Sequence, residues 1–250
     1  MSTEEAPEPI WSRPEPGARN ARFSREQIAR TALDIGRREG MQAVSMRRVA
    51  SELGAGTMTL YHYVANKGEL FALMHDKMME QLIVSEEELE QGWRAAMRAI
   101  AYASLAAWRE NRWQRDEMAE STVLGPNGMR HFEQSLKAVS STRLPMERQM
   151  EIVAQLDEYV YGFAEGNPGV SEAEQEDKLV EFLAGNEGYV QSELRRGDFP
   201  HIEAFLGGEE FDAVVRRMFN ASPAEERFER GLQRLLDGIE IEIEREGGAS

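Results

Sequence analysis

Leu53-Gly54-Ala55-Gly56-Thr57-Met58-Thr59-Leu60-Tyr61-His62-Tyr63 reads as a tight turn followed by a short helix, and this stretch decides the fold. Gly54 and Gly56 bracket a connection too short for anything but two helices crossing steeply, the geometry of a helix-turn-helix. Wound at about 100° per residue, the helix turns Leu60 and Val64 inward, one turn apart, and leaves Met58, Thr59, Tyr61 and His62 outward. Such a face suits a DNA groove. Thr and His can hydrogen-bond base edges, a Met or Thr methyl can touch the thymine methyl, and Tyr can reach phosphate. The plainer alternative is an exposed helix with scattered aromatics.

Caps place the neighbouring helices. Ser24 with Gln27 forms a capping box, and Phe23 with Ile28 forms its hydrophobic staple, so a helix starts at Arg25. Ile28, Ala32, Leu33 and Ile35 supply its apolar face until Gly40 ends it. Ser45 caps a second helix of about eight residues, with Val44 and Val49 as staple and Val49, Ala50 and Leu53 as stripe, ending at Gly54. Asn66 with Glu69 reads as another capping box, opening a fourth helix through Leu70, Phe71, Leu73 and Met74 toward Leu82.

Residues 22–75 resemble the DNA-binding domain of the tetracycline-repressor (TetR) family. The pattern stands here as Val49-Ala50-Ser51-Glu52-Leu53-Gly54, then Thr59-Leu60-Tyr61-His62-Tyr63, then Lys67. The resemblance implies base or phosphate contact by Arg47 and its neighbour Arg48, and base reading by Thr57, Met58 and Thr59. It further implies phosphate contacts from Tyr61, Tyr63 and Lys67, and a variable contact from His62. Gly56 stands where the family has Ser, and Gly is an acceptable N-cap.

Charge agrees with this placement. Residues 11–70 hold 10 Lys plus Arg against 6 Asp plus Glu, whereas residues 71–250 hold 19 against 36, in a chain of net charge −16. A polyanion is therefore attracted locally and repelled elsewhere, and binding is salt-sensitive. Arg13, Arg19 and Arg22 lie in a Pro- and Gly-containing run, Trp11 to Arg22, that reads as a disordered linker, with a minor-groove arm as the alternative.

Other classes lack residues. With no Cys, neither a disulfide framework nor a thiolate zinc site is possible, and a reducing cytoplasm fits. The acidic residues 1–10 are unlike a signal peptide, and no apolar run reaches the ~20 residues that span a bilayer, so no membrane association is expected. His62, His75, His131 and His201 are scattered, no nucleophile elbow or phosphate loop occurs, and runs such as Glu86–Glu90 read as solvated faces. Neither catalytic residues, metal nor cofactor is expected.

The remainder reads as a larger helical domain. Trp93, Met97, Ile100, Ala101, Ser104 and Trp108 predict a helix from Gly92 to Glu110. After the break Leu124-Gly125-Pro126-Asn127-Gly128, the stripe Met129, Phe132, Leu136 and Val139 predicts another, stopped near Leu144 by Pro145. Met146–Glu165 carries two apolar stripes, Met150, Val153, Val160 and Ala164 beside Ile152, Leu156, Tyr159 and Phe163, and is expected to be buried on more than one side. Phe228, Leu232, Leu235, Ile239 and Ile243 form a seam suited to close helix packing on a last helix opened by Pro223.

In the resembling family the two long C-terminal helices of each subunit build a four-helix dimer interface. This implies an interface of Met150, Val153, Val160, Phe228, Leu232, Leu235, Ile239 and Ile243, with monomer core as the alternative. A dimer sets two readers one helical turn apart on a palindromic site. The family likewise implies an effector pocket, drawn from Trp93, Met97, Tyr102, Trp108, Trp113, Met118, Met129, Phe132 and Tyr159, although any one of them is more ordinarily core. Its metal-tetracycline subgroup has His before Leu-Gly; Val123 stands here, so that chemistry is not expected. His131 is expected in the core or at the surface, with an effector hydrogen bond as its alternative role.

The sequence thus predicts an all-α chain: a tail over 1–21 that is disordered, an N-terminal three-helix helix-turn-helix domain over 22–70, and a larger helical-bundle domain for effector binding and dimerisation over 71–246. The expected function is that of a cytoplasmic, homodimeric, ligand-responsive transcriptional regulator, most simply a repressor, that binds a double-stranded DNA operator and is released by an apolar or amphipathic small molecule. An architectural DNA-binding protein without effector, and a helical enzyme with an appended DNA-binding module, are the alternatives.

Overall fold

The computed structural model describes residues 8–16, 23–111, 124–167, 172–221 and 223–247, and among them there are helices and turns but no strand. Residues up to Tyr161, with those from Ile241 onward, form one compact unit, and Gly162–Glu240 form a second.

The first four helices are α1 (Arg25–Glu39), α2 (Met46–Glu52), α3 (Thr57–Tyr61) and α4 (Lys67–Met79). The Ser24 side chain accepts the Gln27 N–H while the Gln27 side chain accepts the Ser24 N–H, so the expected capping box is complete. Ser45 Oγ likewise takes the Arg48 N–H. At α4 only half of the expected box forms. Asn66 Oδ1 accepts the Glu69 N–H at 2.9 Å, but the Glu69 carboxylate takes the Ala65 N–H at 2.7 Å and pairs with Arg13 instead of returning to Asn66. Ile28, Ile35, Val49, Leu60, Val64 and Leu70 are fully buried together, the non-directional burial that fixes α3 across α1 and α2.

Residues 8–16 depart from the expected disordered tail. Ile10–Ser12 form one 3-10 turn, and Ile10 is buried in the same core, with Trp11 packed beside it. Arg25 explains the docking: its Nη1 donates to the carbonyls of Ile10 at 2.7 Å and Arg13 at 2.8 Å, and its Nε donates to the Tyr63 carbonyl at 3.2 Å. A guanidinium at the start of a helix opposes the helix dipole. Three carbonyls offset that and tie the turn to the end of α3.

Beyond α4 come α5 (Glu86–Leu89), α6 (Trp93–Glu110), α7 (Pro126–Ser140) and α8 (Met146–Gly166). The acidic run expected to be a solvated face begins with a capping box, Ser85 with Glu88, and Leu89 closes it into the core. The expected boundary at residue 70 falls inside α4, which packs against α1 on one side and α7 on the other.

On α7 the structure corrects the expected face. Met129 is 60% and Phe132 41% exposed, and Val139 alone of that stripe is fully buried, while His131, Gln134 and Ser135 point inward. Buried polar groups persist only when paired, and these are. Gln134 accepts the Val84 N–H at 2.9 Å and donates to the Leu82 carbonyl at 2.6 Å, and Ser135 Oγ donates to the His131 carbonyl at 2.9 Å.

The second unit holds α9 (Glu172–Leu194), α10 (Pro200–Leu206) and α11 (Phe211–Ala221), around buried Leu194, Leu206 and Val214. It also holds most of α12 (Ala224–Gly247), where Phe228 packs edge-on against Phe163 at 5.1 Å between ring centres. Both long apolar helices, α8 and α12, are present as the spacing predicts. No described helix is long and apolar enough to cross a membrane.

Candidate DNA interface and ligand cavity

The outward face of α3 is as its spacing requires. Met58 is 74% and Tyr61 44% exposed, His62 is exposed, and Thr57 and Thr59 are half-buried beside them. Arg47 on α2 is exposed and pairs with no described carboxylate, and Lys67, at the first position of α4, stands exposed over the Phe71 ring at 4.7 Å. Seven of the nine expected contact residues therefore lie at accessible positions on α2, α3 and the start of α4.

Two do not. Tyr63 is only 8% exposed, packed in the same core as Ile10. Arg48 is held between two carboxylates, its Nη2 at 2.7 Å from Glu39 and its Nη1 at 2.7 Å from Glu52. Those hydrogen bonds lower Glu39 and Glu52 below the ordinary carboxylate range. Its charge is spent on joining α1 to α2. Arg25, which positions the end of α3, was missed as a site residue; a basic residue at a helix N-terminus was the available signal.

Within the first unit a cavity of ≈ 430 Å³ opens between α4, α6, α7 and α8. Met79, Leu82 and Val160 form its apolar wall, and Trp108 and Tyr161 meet edge to face at 5.2 Å. His75, Ser104, His131, Asp157 and Glu158 supply its polar groups. His131 Nδ1 receives the Gln134 amide at 3.0 Å, because the Gln134 oxygen is already occupied by Val84. His131 Nε2 lies 4.0 Å from Asp157 Oδ1. Burial pushes His75 and His131 below the ordinary imidazole range and pushes Asp157 up to about 6.

Of the described residues expected to form a pocket, only Trp108 lines this cavity. Met97 is buried with no exposure, Met129 and Phe132 face outward, and Trp93 and Tyr159 are half-buried elsewhere. Tyr102 borders a separate groove with Arg98. Trp113 and Met118 lie outside the described residues. His131, whose alternative role was an effector hydrogen bond, lines the cavity, whereas His75, Ser104, Asp157 and Glu158 were not singled out, because a reading by aromatics and methionines passes over polar residues.

One carboxylate connects the two regions. Asp76 on α4 accepts the N–H groups of Asn127 at 2.8 Å and Gly128 at 3.2 Å, so it caps α7 from another helix. Burial raises its pKa, and those two N–H groups oppose the rise. The same α4 supplies Lys67 at its start and His75 and Met79 to the cavity.

Residues 28–74 match the family described as "Bacterial regulatory proteins, tetR family", and residues 86–243 match "Tetracyclin repressor-like, C-terminal domain". The chain is 32% identical over 226 residues to the HTH-type transcriptional repressor DrrR1 of Streptomyces coeruleorubidus, covering 90% of this chain and 80% of that protein. Its fold is similar to apo ActR of Streptomyces coelicolor, with TM-score 0.67 and 25% identity over 92% of this chain and all of that one. The structure of ActR in complex with actinorhodin is similar too, with TM-score 0.67 and 27% identity over 88% of this chain and 96% of that one. With the reader's exposed face, the all-helical architecture and these matches in hand, the chain belongs to the tetR family of bacterial regulatory proteins and is a DNA-binding transcriptional regulator, not an enzyme.

Proposed function

We propose that the chain is a repressor that binds a palindromic DNA operator as a homodimer and is released by a small-molecule effector held in the α4–α6–α7–α8 cavity. The observation that carries this reading is α4 itself, which leaves the reader at Lys67 and lines the cavity with His75 and Met79. An effector acts only through different affinity for the DNA-competent and DNA-incompetent states, and a helix shared by both sites gives that difference a route. The name of DrrR1 and the actinorhodin complex of ActR support the same reading.

The dimer is drawn from α8 and α12, but from fewer residues than their apolar stripes contain. Val153, Val160, Phe228, Leu232 and Ile239 are buried within one chain. Met150, 39% exposed, and the half-buried Leu235 and Ile243 remain for a partner, joined by Ile241 at 48% exposure. DNA contact is assigned to Arg47, Thr57, Met58, Thr59, Tyr61, His62 and Lys67.

The test is a footprint of the purified protein on the DNA upstream of its own gene. A symmetric protected site, lost in the Thr59→Ala, Tyr61→Ala double variant, supports the reading. Unchanged affinity of that variant defeats it.

A further inference from the structure

We propose, on the reading of the cavity as an effector site, that the ligand is a flat aromatic cation: a fused ring system carrying a protonated amine, with the rings beside Trp108 and Tyr161 and the ammonium at Asp157.

Size and shape come first. An apolar cavity of about 150 Å³ takes benzene, and this one, at ≈ 430 Å³, is roughly three times larger, the scale of two or three fused rings. Trp108 and Tyr161, nearly perpendicular at 76°, form an aromatic corner against which a flat molecule lies face-on to one ring and edge-on to the other.

Charge then selects the ligand. Asp157 and Glu158 both line the cavity, and among the described residues lining it there is no Lys or Arg. The two imidazoles do not compensate, since burial holds His75 and His131 toward their neutral forms. His131 Nε2 lies 4.0 Å from Asp157, too far for a hydrogen bond. Asp157 is 52% exposed and pairs with no Lys or Arg among the described residues. An ammonium fills that gap with a charge-assisted hydrogen bond, and the faces of Trp108 and Tyr161 attract the same cation. An anion is repelled by both carboxylates.

A second, independent group points into the same space. Ser104 is 3% exposed, lines the cavity, and its Oγ has no hydrogen-bond partner. Buried hydroxyls are ordinarily paired, so the partner is a polar atom of the ligand.

The experiment uses three matched probes, anthracenemethylamine, anthracenemethanol and anthracenecarboxylate, titrated by fluorescence into the full-length protein. The amine is expected to bind at least about tenfold more tightly than the alcohol, with the carboxylate weakest. Asp157→Asn should abolish the preference for the amine and leave the alcohol unchanged. Equal affinity for amine and alcohol, a tighter carboxylate, no binding by any of the three, or an amine preference that survives Asp157→Asn overturns the proposal. A gel shift with the same probes separates this result from the effector reading. Asp157-dependent binding of the amine that leaves the protein on DNA retains the ligand class and removes the effector role.

Discussion

Asp76 Oδ1 sits 2.8 Å from the backbone nitrogen of Asn127, so the N-terminus of α7 is capped by a side chain 51 residues away on α4. α7 begins with Pro126 after Gly125 and has no cap of its own. Its free N–H groups and positive dipole end need an acceptor from outside. The contact ties α4, which also carries Lys67 and the cavity residues His75 and Met79, to the start of α7.

Asp76→Ala is expected to cost about 1–3 kcal/mol, the usual consequence of leaving buried donors unpaired. Gly125→Ala should destabilise through the same place, because a Cβ at Gly125 stands 2.2 Å from Asp76 Oδ1 and 2.7 Å from Trp11 Cζ2. The two changes are therefore coupled. In a urea double-mutant cycle the Gly125→Ala penalty shrinks by about 1 kcal/mol or more once Asp76 is Ala; strict additivity would show that the carboxylate does not set it.

Adjacent arginines on α2 should separate cleanly. Arg47→Ala weakens operator binding on all sequences alike and reduces the salt slope by about one. Arg48→Ala lowers the thermal midpoint by breaking the links to Glu39 and Glu52, and leaves the salt slope as it was. Binding isotherms over a salt series, beside thermal melts, decide this; a lowered slope for Arg48→Ala would return it to the DNA interface.

Gln134→Leu keeps the volume near that of the amide but strips partners from the Val84 N–H and the Leu82 carbonyl. One buried and one partly buried backbone group unpaired at once should cost about 2–4 kcal/mol in chemical unfolding. A loss under about 1 kcal/mol would mean that water reaches them.

The raised pKa of Asp157 predicts a sign for stability against pH. Its folded value, about 6, lies above its ordinary 3.8, so the folded state binds the proton more tightly. This group's contribution to stability is full below about 4 and declines as pH rises toward and through about 6. Asp157→Asn removes that decline. His75, His131 and Glu158 face the same cavity and remain in the variant. Urea unfolding at about pH 5.5 and about pH 7.5 should show the variant gaining on the parent at the higher pH, and a constant difference would refute the assignment.

The reader was legible because its signals are local. Ser24, Gln27, Ser45 and the pair Gly54, Gly56 act on backbone groups within a few residues, and Leu60 and Val64 lie one turn apart, so caps and periodicity locate α1, α2 and α3 without the rest of the chain. The long apolar helices α8 and α12 were legible for the same reason. The candidate site was legible only in part. Arg47, Met58 and Tyr61 reach the surface because helical geometry alone sends them there, whereas Tyr63 is taken into the core and Arg48 is held by Glu39 and Glu52.

On α7 the hydrophobic stripe pointed the wrong way. Met129 and Phe132 cost little when exposed, but His131 and Gln134 can be buried only where Leu82 and Val84 offer their backbone, about fifty residues earlier in the chain. Short-range rules therefore establish the helices, the helix-turn-helix and the sign of charge around it. The docking of Ile10, the cap from Asp76 and the acidic cavity at Trp108 depend on which distant groups meet. Burying a polar or charged group is favourable only with its partner in place, and pairings between groups far apart in the chain arise from packing rather than from local spacing.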